Sequence, residues 1–399
     1  MREEKLTVQG FRAAAVKGGI RGKDRLDIGL IVSDVPAVAA GVFTTSLVKA
    51  APVLLDMARL RAGQARALVV NAGIANACTG ELGMANALAV GRMTAEALGL
   101  VEDEVLLAST GVIGAQLDLA CFQRAVPAAV ARLYGEGFAE VSRAMMTTDT
   151  VPKVARRTVM LDGKPVELLG LAKGAGMIMP NMATMLAFVM TDACVASAAV
   201  LQPMLKSGVE KSFNRITIDG DTSTNDSVLL LANGLAANTP LTDDSPGRAE
   251  FAVALDELLL DLAMQIVADG EGATKLITIR VLGAATAEEA QQAARTIANS
   301  PLVKTAFFGE DANWGRIIGA LGRSGAGFDA NQVSIAFDDV VMVQGGLGMG
   351  PEVEARATEV LKRKRFTVTV DIHAGSAAGE YYTCDFSIDY VKINADYRS

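Results

Sequence analysis

The chain has 399 residues, 51% hydrophobic and 21% charged, enough apolar side chain to pack a large core and to exclude a disordered chain. A formal net charge of −8 and a pI near 5.0 argue against nucleic acid and anionic membrane surfaces as partners, although an anionic small substrate needs only a local positive site. The cysteines at 78, 121, 194 and 384 form no CxxC pair, so neither a zinc site nor a redox pair is expected, and reduced thiols in a cytoplasmic chain fit.

The N-terminal stretch MREEKLTVQG lacks the apolar region of a signal peptide. No clean apolar run of about 18 residues follows; the nearest, Ala175 to Met190, is interrupted by Pro180, Asn181 and Thr184. Residues 10–49 mix Gly-rich loops with apolar runs such as Ile28 to Val32, and Phe43-Thr44-Thr45-Ser46 reads as a polar turn into an extended segment over Lys49 to Pro52. Ala67 to Val70 reads as a buried strand, followed by the small-residue loop Asn71 to Cys78 and a helix from Met84 to Leu98 that Gly99 stops. Val105 to Ala108 is a second strand and ends in Ser109-Thr110-Gly111. A strand ending in Thr-Gly presents a hydroxyl and backbone N–H groups at one point, which can meet an oxyanion. Many strand ends share that text, so the pair alone is a weak signal.

Helices are expected from Leu119 to Tyr134, bent near Pro127, and from Glu136 to Met145. Met146-Thr147-Thr148-Asp149-Thr150 then forms a polar loop. Asp162-Gly163 between Thr158 to Leu161 and Val166 to Leu169 is a hairpin signal. The stretch from Leu171 to Asp192 comes next. It opens with Lys173 and two glycines, turns at Pro180-Asn181, and runs from Ala183-Thr184 into a buried strand, Met185 to Met190. The chain has a single histidine, His373, so His-assisted nucleophiles have little to draw on. A threonine can dispense with histidine if its own α-amino group is the base, which requires cutting the Ala183–Thr184 bond. A core strand with an incidental threonine is the other reading.

Beyond it, Leu201 to Phe213 reads as a helix and Ile216 to Ile218 as a strand. The acidic run Asp219 to Asp226 lacks EF-hand spacing, so a turn packed near the site is expected and no metal. Residues 237–249 read as a surface connection, and Glu250 to Val267 as a long helix. Glu271, between two glycines before the strand Leu276 to Val281, could take a substrate amine or simply be a solvated loop residue. Ala287 to Ala298 is helical, and Ala306 to Arg316, with the only Trp, is expected near the site or a subunit contact. Gly345 to Gly350, after the strand Val340 to Val343, does not fit GxGxxG, which excludes a dinucleotide site there; His373 reads as structural.

The text KGAGMIMPNMATML, residues 173–186, resembles the autoprocessing segment of the ornithine acetyltransferase (glutamate N-acetyltransferase) family of arginine biosynthesis. The Thr110-Gly111 strand end, the Met146–Thr150 loop, the Glu271 loop and the C-terminal tail match that family in the same order, so the resemblance spans nearly the whole chain. It implies an α/β fold, an αββα sandwich of the self-cleaving N-terminal-nucleophile type over 1–275, with a smaller C-terminal domain over 276–399. It implies self-cleavage between Ala183 and Thr184 into an α piece and a β piece, assembled as two of each. Thr184 is then the nucleophile, and Thr110 with Gly111 the oxyanion hole. Substrate binding falls to Thr147 (with Thr148 the competing choice), Lys173, Thr184, Glu271, Asn394 and Ser399. The family often ends in Thr, so Ser399 departs from it but keeps the hydroxyl.

The reaction the resemblance implies is a ping-pong transfer of acetyl from N-acetylornithine to glutamate, in the cytoplasm and with no cofactor. Acetyl-CoA is a further donor in some members. Two other readings stay open on residues alone: a self-cleaving amidohydrolase or aminopeptidase of the same architecture, and a binding protein with an inert Thr184.

Overall fold

A computed structural model describes residues 5–22, 24–179 and 185–396. They form two compact units, one of residues 5–214 with 221–266, the other of residues 215–220 with 267–396. Each unit is built on its own mixed sheet, so the α/β class expected from the sequence holds.

The first sheet takes β1 (Phe11–Val16), β2 (Ile28–Phe43), β3 (Gln64–Ile74), β4 (Val105–Val112), β5 (Lys153–Leu161), β6 (Lys164–Lys173) and β7 (Leu186–Thr191). β8 (Ile216–Thr217) belongs to the second sheet, and β9 (Ser227–Ala232) returns to the first. The order is β4-β3-β2-β9-β7-β6-β5, with β1 beside β2. Two features of this sheet place the site. β3 and β4 run parallel, which sets Thr110 opposite Ala72 and Gly111 opposite Gly73 at their ends. β6 and β7 are antiparallel, with Lys173 opposite Leu186. The β5–β6 hairpin turns at Asp162-Gly163, where both residues take positive φ (51° and 74°), the backbone that a two-residue primed turn demands and Asp-Gly tolerates.

The unit carries α1 (Ala51–Arg59), α2 (Gly80–Leu98), α3 (Leu119–Ala131), α4 (Phe138–Ala144), α5 (Ala198–Lys211) and most of α6 (Gly247–Ala268). The sheet is buried on both faces, as near-continuous runs such as LAFVMT imply. Leu169 and Leu171 join a core with Phe188, Leu229 and Leu231. The alternate residue Gly170 faces Leu258 and Leu262 of α6, and their full burial is worth about 1.5–3 kcal/mol each. α2 and α3 pack Val90, Phe122 and Val126 against Leu30, Val69 and Leu107.

In the second unit β8 joins β10 (Leu276–Ala284), β11 (Ser334–Phe337), β12 (Val340–Gln344), β13 (Leu347–Gly348), β14 (Arg365–Asp371) and β15 (Ala377–Cys384), in the order β13-β12-β11-β14-β10-β15-β8. Its helices are α7 (Ala287–Ala298), α8 (Pro301–Phe308), α9 (Trp314–Gly322), α10 (Pro351–Leu361) and α11 (Ile388–Asp396). α7 lays Ala290, Ala294 and Ile297 into a core with Ile277, Ile279 and Val370.

Several expected elements shift. Lys49 to Pro52 does not continue as an extended segment: Ala50 is extended, but Pro52 sits in the first turn of α1, where its missing N–H costs nothing. The helix expected to reach Tyr134 ends at Ala131, because Tyr134 exchanges backbone hydrogen bonds with Ala13 instead. α4 starts at Phe138 rather than Glu136. No described helix is long and apolar enough to cross a membrane.

Candidate active site

The site is assembled at the ends of β4 and β6. Thr110, on β4, is 8% exposed, and Lys173, the last residue of β6, is 4% exposed. Lys173 Nζ donates to Thr110 Oγ1 at 3.2 Å and to Thr147 Oγ1 at 2.7 Å. One ammonium therefore joins the strand end and the polar loop, 63 and 26 residues away in sequence. Four of the expected residues, Thr110, Gly111, Thr147 and Lys173, come together in this way.

Gly111 is required by its surroundings. It has φ +128°, and a Cβ there would lie 2.3 Å from the carbonyl carbon of Gly73. Only a residue without a side chain lets β3 and β4 approach so closely beside Thr110.

Asp149 orders the loop. Its Oδ1 accepts from Lys153 Nζ and from the Gly174 N–H, each at 2.7 Å, and its Oδ2 accepts from the Thr147 N–H at 2.9 Å. Burial alone would raise this carboxyl. The charges of Lys173 and Lys153, with hydrogen bonds from Lys153 and Gly174, outweigh it and hold Asp149 well below the usual carboxylate range. Arg21 donates to the carbonyls of Met146 and Thr147 and clamps the loop from its other side. Thr147 and Thr148 both border an open cavity of about 490 Å³ whose wall also holds Arg21, Arg25 and Arg143, a local positive lining on an acidic chain.

A second carboxyl, Asp226, is 1% exposed just before β9. Its Oδ1 accepts from the Met185 N–H at 2.7 Å. Burial pushes it well above the usual carboxylate range, against the opposing pull of the Met185 amide, Lys173 and Thr44. The preceding Asn225 donates through Nδ2 to the carbonyls of Ala75 (2.6 Å) and Ser109 (2.8 Å). The acidic run expected to pack near the site thus does so through Asn225 and Asp226.

In the second unit, Glu271 and Asn394 meet: Asn394 Nδ2 donates to Glu271 Oε2 at 2.8 Å, and Glu271 is 7% exposed. The loop glutamate is therefore not a solvated residue. Ala183, Thr184 and Ser399, the expected cleavage pair and C-terminal contact, lie outside the described residues. Met185, next to Thr184, is buried, and β7 is buried throughout.

Sequence reasoning passed over Asp149, Lys153, Asn225 and Asp226. Asp149 and Lys153 at i and i+4 offered a local hint; Asn225 and Asp226 offered only an acidic run.

The ArgJ family profile matches residues 12–399. The Arginine biosynthesis bifunctional protein ArgJ of Desulfotalea psychrophila is 56% identical over 394 residues, 99% of this chain and 100% of its own. The Geobacter sulfurreducens protein of the same name is 53% identical over 394 residues, again 99% and 100%. A crystal structure of the arginine biosynthesis bifunctional protein ArgJ from Bacillus halodurans is 46% identical with a TM-score of 0.52, and covers 54% of this chain and 100% of its own solved chain. With a family match over nearly its full length and relatives this similar from end to end, the chain belongs to the ArgJ family, acetyltransferases of arginine biosynthesis.

Proposed function

We propose that the chain cuts itself between Ala183 and Thr184 and then uses Thr184 to carry acetyl from N-acetylornithine to glutamate. The observation that carries this reading is the pairing of Lys173 with Leu186. Both ends of the segment that contains Ala183-Thr184 return to one point of the sheet, and Lys173 there reaches Thr110 and Thr147.

In the precursor, Thr184 Oγ attacks the Ala183 carbonyl carbon, and the peptide nitrogen leaves as the amine of Thr184, giving an ester. Water hydrolyses that ester to a carboxylate at Ala183 and a free hydroxyl on Thr184. The new α-amino group has a reference pKa of about 7.7–8.0, suited to a general base near neutral pH. It takes the hydroxyl proton as Oγ attacks the acetyl carbon of N-acetylornithine. Ornithine departs as the amine with that proton, leaving acetyl-Thr184. The glutamate amine then attacks, N-acetylglutamate leaves, and Thr184 is restored.

Each oxyanion would be met at Thr110 and Gly111, where fixed dipoles need no reorganisation. Lys173 would hold a substrate carboxylate or set the local field, with Thr147 beside it. Glu271 and Asn394 would take the substrate's amines, and Ser399 would add a hydroxyl. The word bifunctional in the relatives' names adds a second donor to the proposal, acetyl-CoA, entering through the same acetyl-Thr184.

Two measurements test this. The mass of the purified protein should show two pieces, 1–183 and 184–399, and Thr184→Ala should show one of 41.5 kDa. N-acetylornithine alone should add about 42 mass units to the second piece, and glutamate should remove them. A cut that persists in Thr184→Ala, or an acetyl group that never appears on residues 184–399, would overturn the reading.

A further inference from the structure

We propose that Asn225 and Asp226 are the positioning pair of this site, one fixing the peptide unit that carries the nucleophile and the other the peptide unit that carries the oxyanion donor. The proposal rests on the reading of Thr184 as nucleophile and goes beyond it, because it gives both residues the task of holding backbone rather than a chemical step.

Covalent geometry links each of these contacts to a neighbouring residue. A peptide unit is planar over six atoms, from one Cα to the next. Asp226 Oδ1 holds the N–H of Met185, and the Cα of Thr184 belongs to that same plane. Asn225 Nδ2 holds the carbonyl of Ser109, and the N–H of Thr110 belongs to that plane. Two adjacent residues thus grip the nucleophile's strand and the oxyanion strand, which β9, β2 and β3 otherwise separate.

The grip is itself braced. The Thr44 N–H donates to the Asp226 carbonyl at 3.0 Å, and Thr44 Oγ1 donates to the Ser223 carbonyl at 2.8 Å. Asn225 Oδ1 accepts from Thr224 Oγ1, and its other Nδ2 hydrogen goes to Ala75, which ties the loop to the end of β3. The Ser227 N–H donates to the Met185 carbonyl, so Met185 is held on both sides. Asp226 Oδ2 is buried with no hydrogen-bond partner among the described residues. An ionised carboxylate would be costly there, so burial favours the neutral carboxyl, in which Oδ1 still accepts from Met185. Burial, which pushes Asp226 well above the usual range, points the same way.

The test compares self-cleavage rates and, on cleaved enzyme, kcat and KM for acetyl exchange. Asp226→Ala and Asn225→Ala should each slow self-cleavage and lower kcat by about 10- to 100-fold with KM little changed, the signature of misplaced rather than missing groups. Asp226→Asn keeps the carbonyl acceptor for Met185 and should recover near wild-type rates across the pH profile. If Asp226→Ala does not accumulate folded, Asn225→Ala carries the same expected loss. Wild-type rates in folded Asp226→Ala or Asn225→Ala, a loss confined to KM, or Asp226→Asn as slow as Asp226→Ala would each overturn the proposal. Thr184→Ala run alongside separates the two failures: a cut that persists in it condemns the nucleophile assignment, whereas an inert Thr184→Ala beside fast Asp226→Ala and Asn225→Ala condemns only the positioning role.

Discussion

Asp149 shows what a buried carboxylate needs in order to stay charged. Desolvation opposes its ionised form, yet two lysine charges and hydrogen bonds from Lys153 and Gly174 hold it well below the usual carboxylate range. The stability it contributes is therefore fully present above its unfolded value of about 3.9 and is lost as pH falls through that value toward the folded one. Asp149→Ala should cost about 3–5 kcal/mol at pH 7, because the buried Lys153 ammonium loses this ion pair. The gap between wild type and variant in urea midpoints should be full at pH 7 and narrow below about pH 4. A gap that stays constant down to pH 3 would mean that Asp149 acts through packing rather than charge. At this scale the sequence singled out Thr110 and Lys173, which the structure brings to one point, while the Ala183-Thr184 bond it also singled out lies outside the described residues. Asp149 and Asp226 were not readable as site residues, because their partners Gly174 and Met185 lie 25 and 41 residues away.

The strand ends, not the loops alone, set the geometry. β3 and β4 close on each other at Gly73 and Gly111, and both glycines have positive φ. They differ in what an added methyl would meet. At Gly111 it meets backbone of Gly73, which cannot step aside; at Gly73 it meets Cγ atoms of Arg21 and Ile20, which yield only if those side chains turn. Gly111→Ala should thus lose about 1–3 kcal/mol to backbone strain and more to the clash, and should slow self-cleavage sharply by displacing Thr110. Gly73→Ala should carry the strain without the backbone clash, so its melting temperature and cleavage rate should fall less. Equal effects would show that the β3–β4 approach tolerates a methyl at either side. Element by element, periodicity and turn chemistry were the legible part. The Asp162-Gly163 hairpin, the helix ending at Gly99 and the buried strand after Thr184 follow directly from local sequence. RFTVTVD carries a period of two that its burial pattern reproduces. The short helices α8 and α9 start from Ser300-Pro301 and an Asn313 cap, signals too brief to separate from a turn without the core beneath them.

Strand order is the property of the whole molecule that no local pattern reveals, and it decides what self-cleavage would do. Residues 215–220 leave the first unit to add β8 to the second sheet, and the chain then returns to lay β9 between β2 and β7. A cut between Ala183 and Thr184 assigns β1 to β6 to one piece and β7 and β9 to the other. In the sheet, β9 pairs with β2 and β7 pairs with β6. The second piece is therefore inserted as a two-strand wedge between strands of the first, held by six registered residue pairs along each seam. Backbone hydrogen bonds buried in this way are expensive to leave unmade, so parting the pieces means unfolding the sheet. Pieces 1–183 and 184–399 should co-elute from a sizing column in native buffer at every concentration at which the sheet is folded. In rising urea, their separation should follow the same midpoint as the loss of sheet signal in circular dichroism. Separation that precedes unfolding would mean that the two seams are not the bonds that keep the cut protein whole.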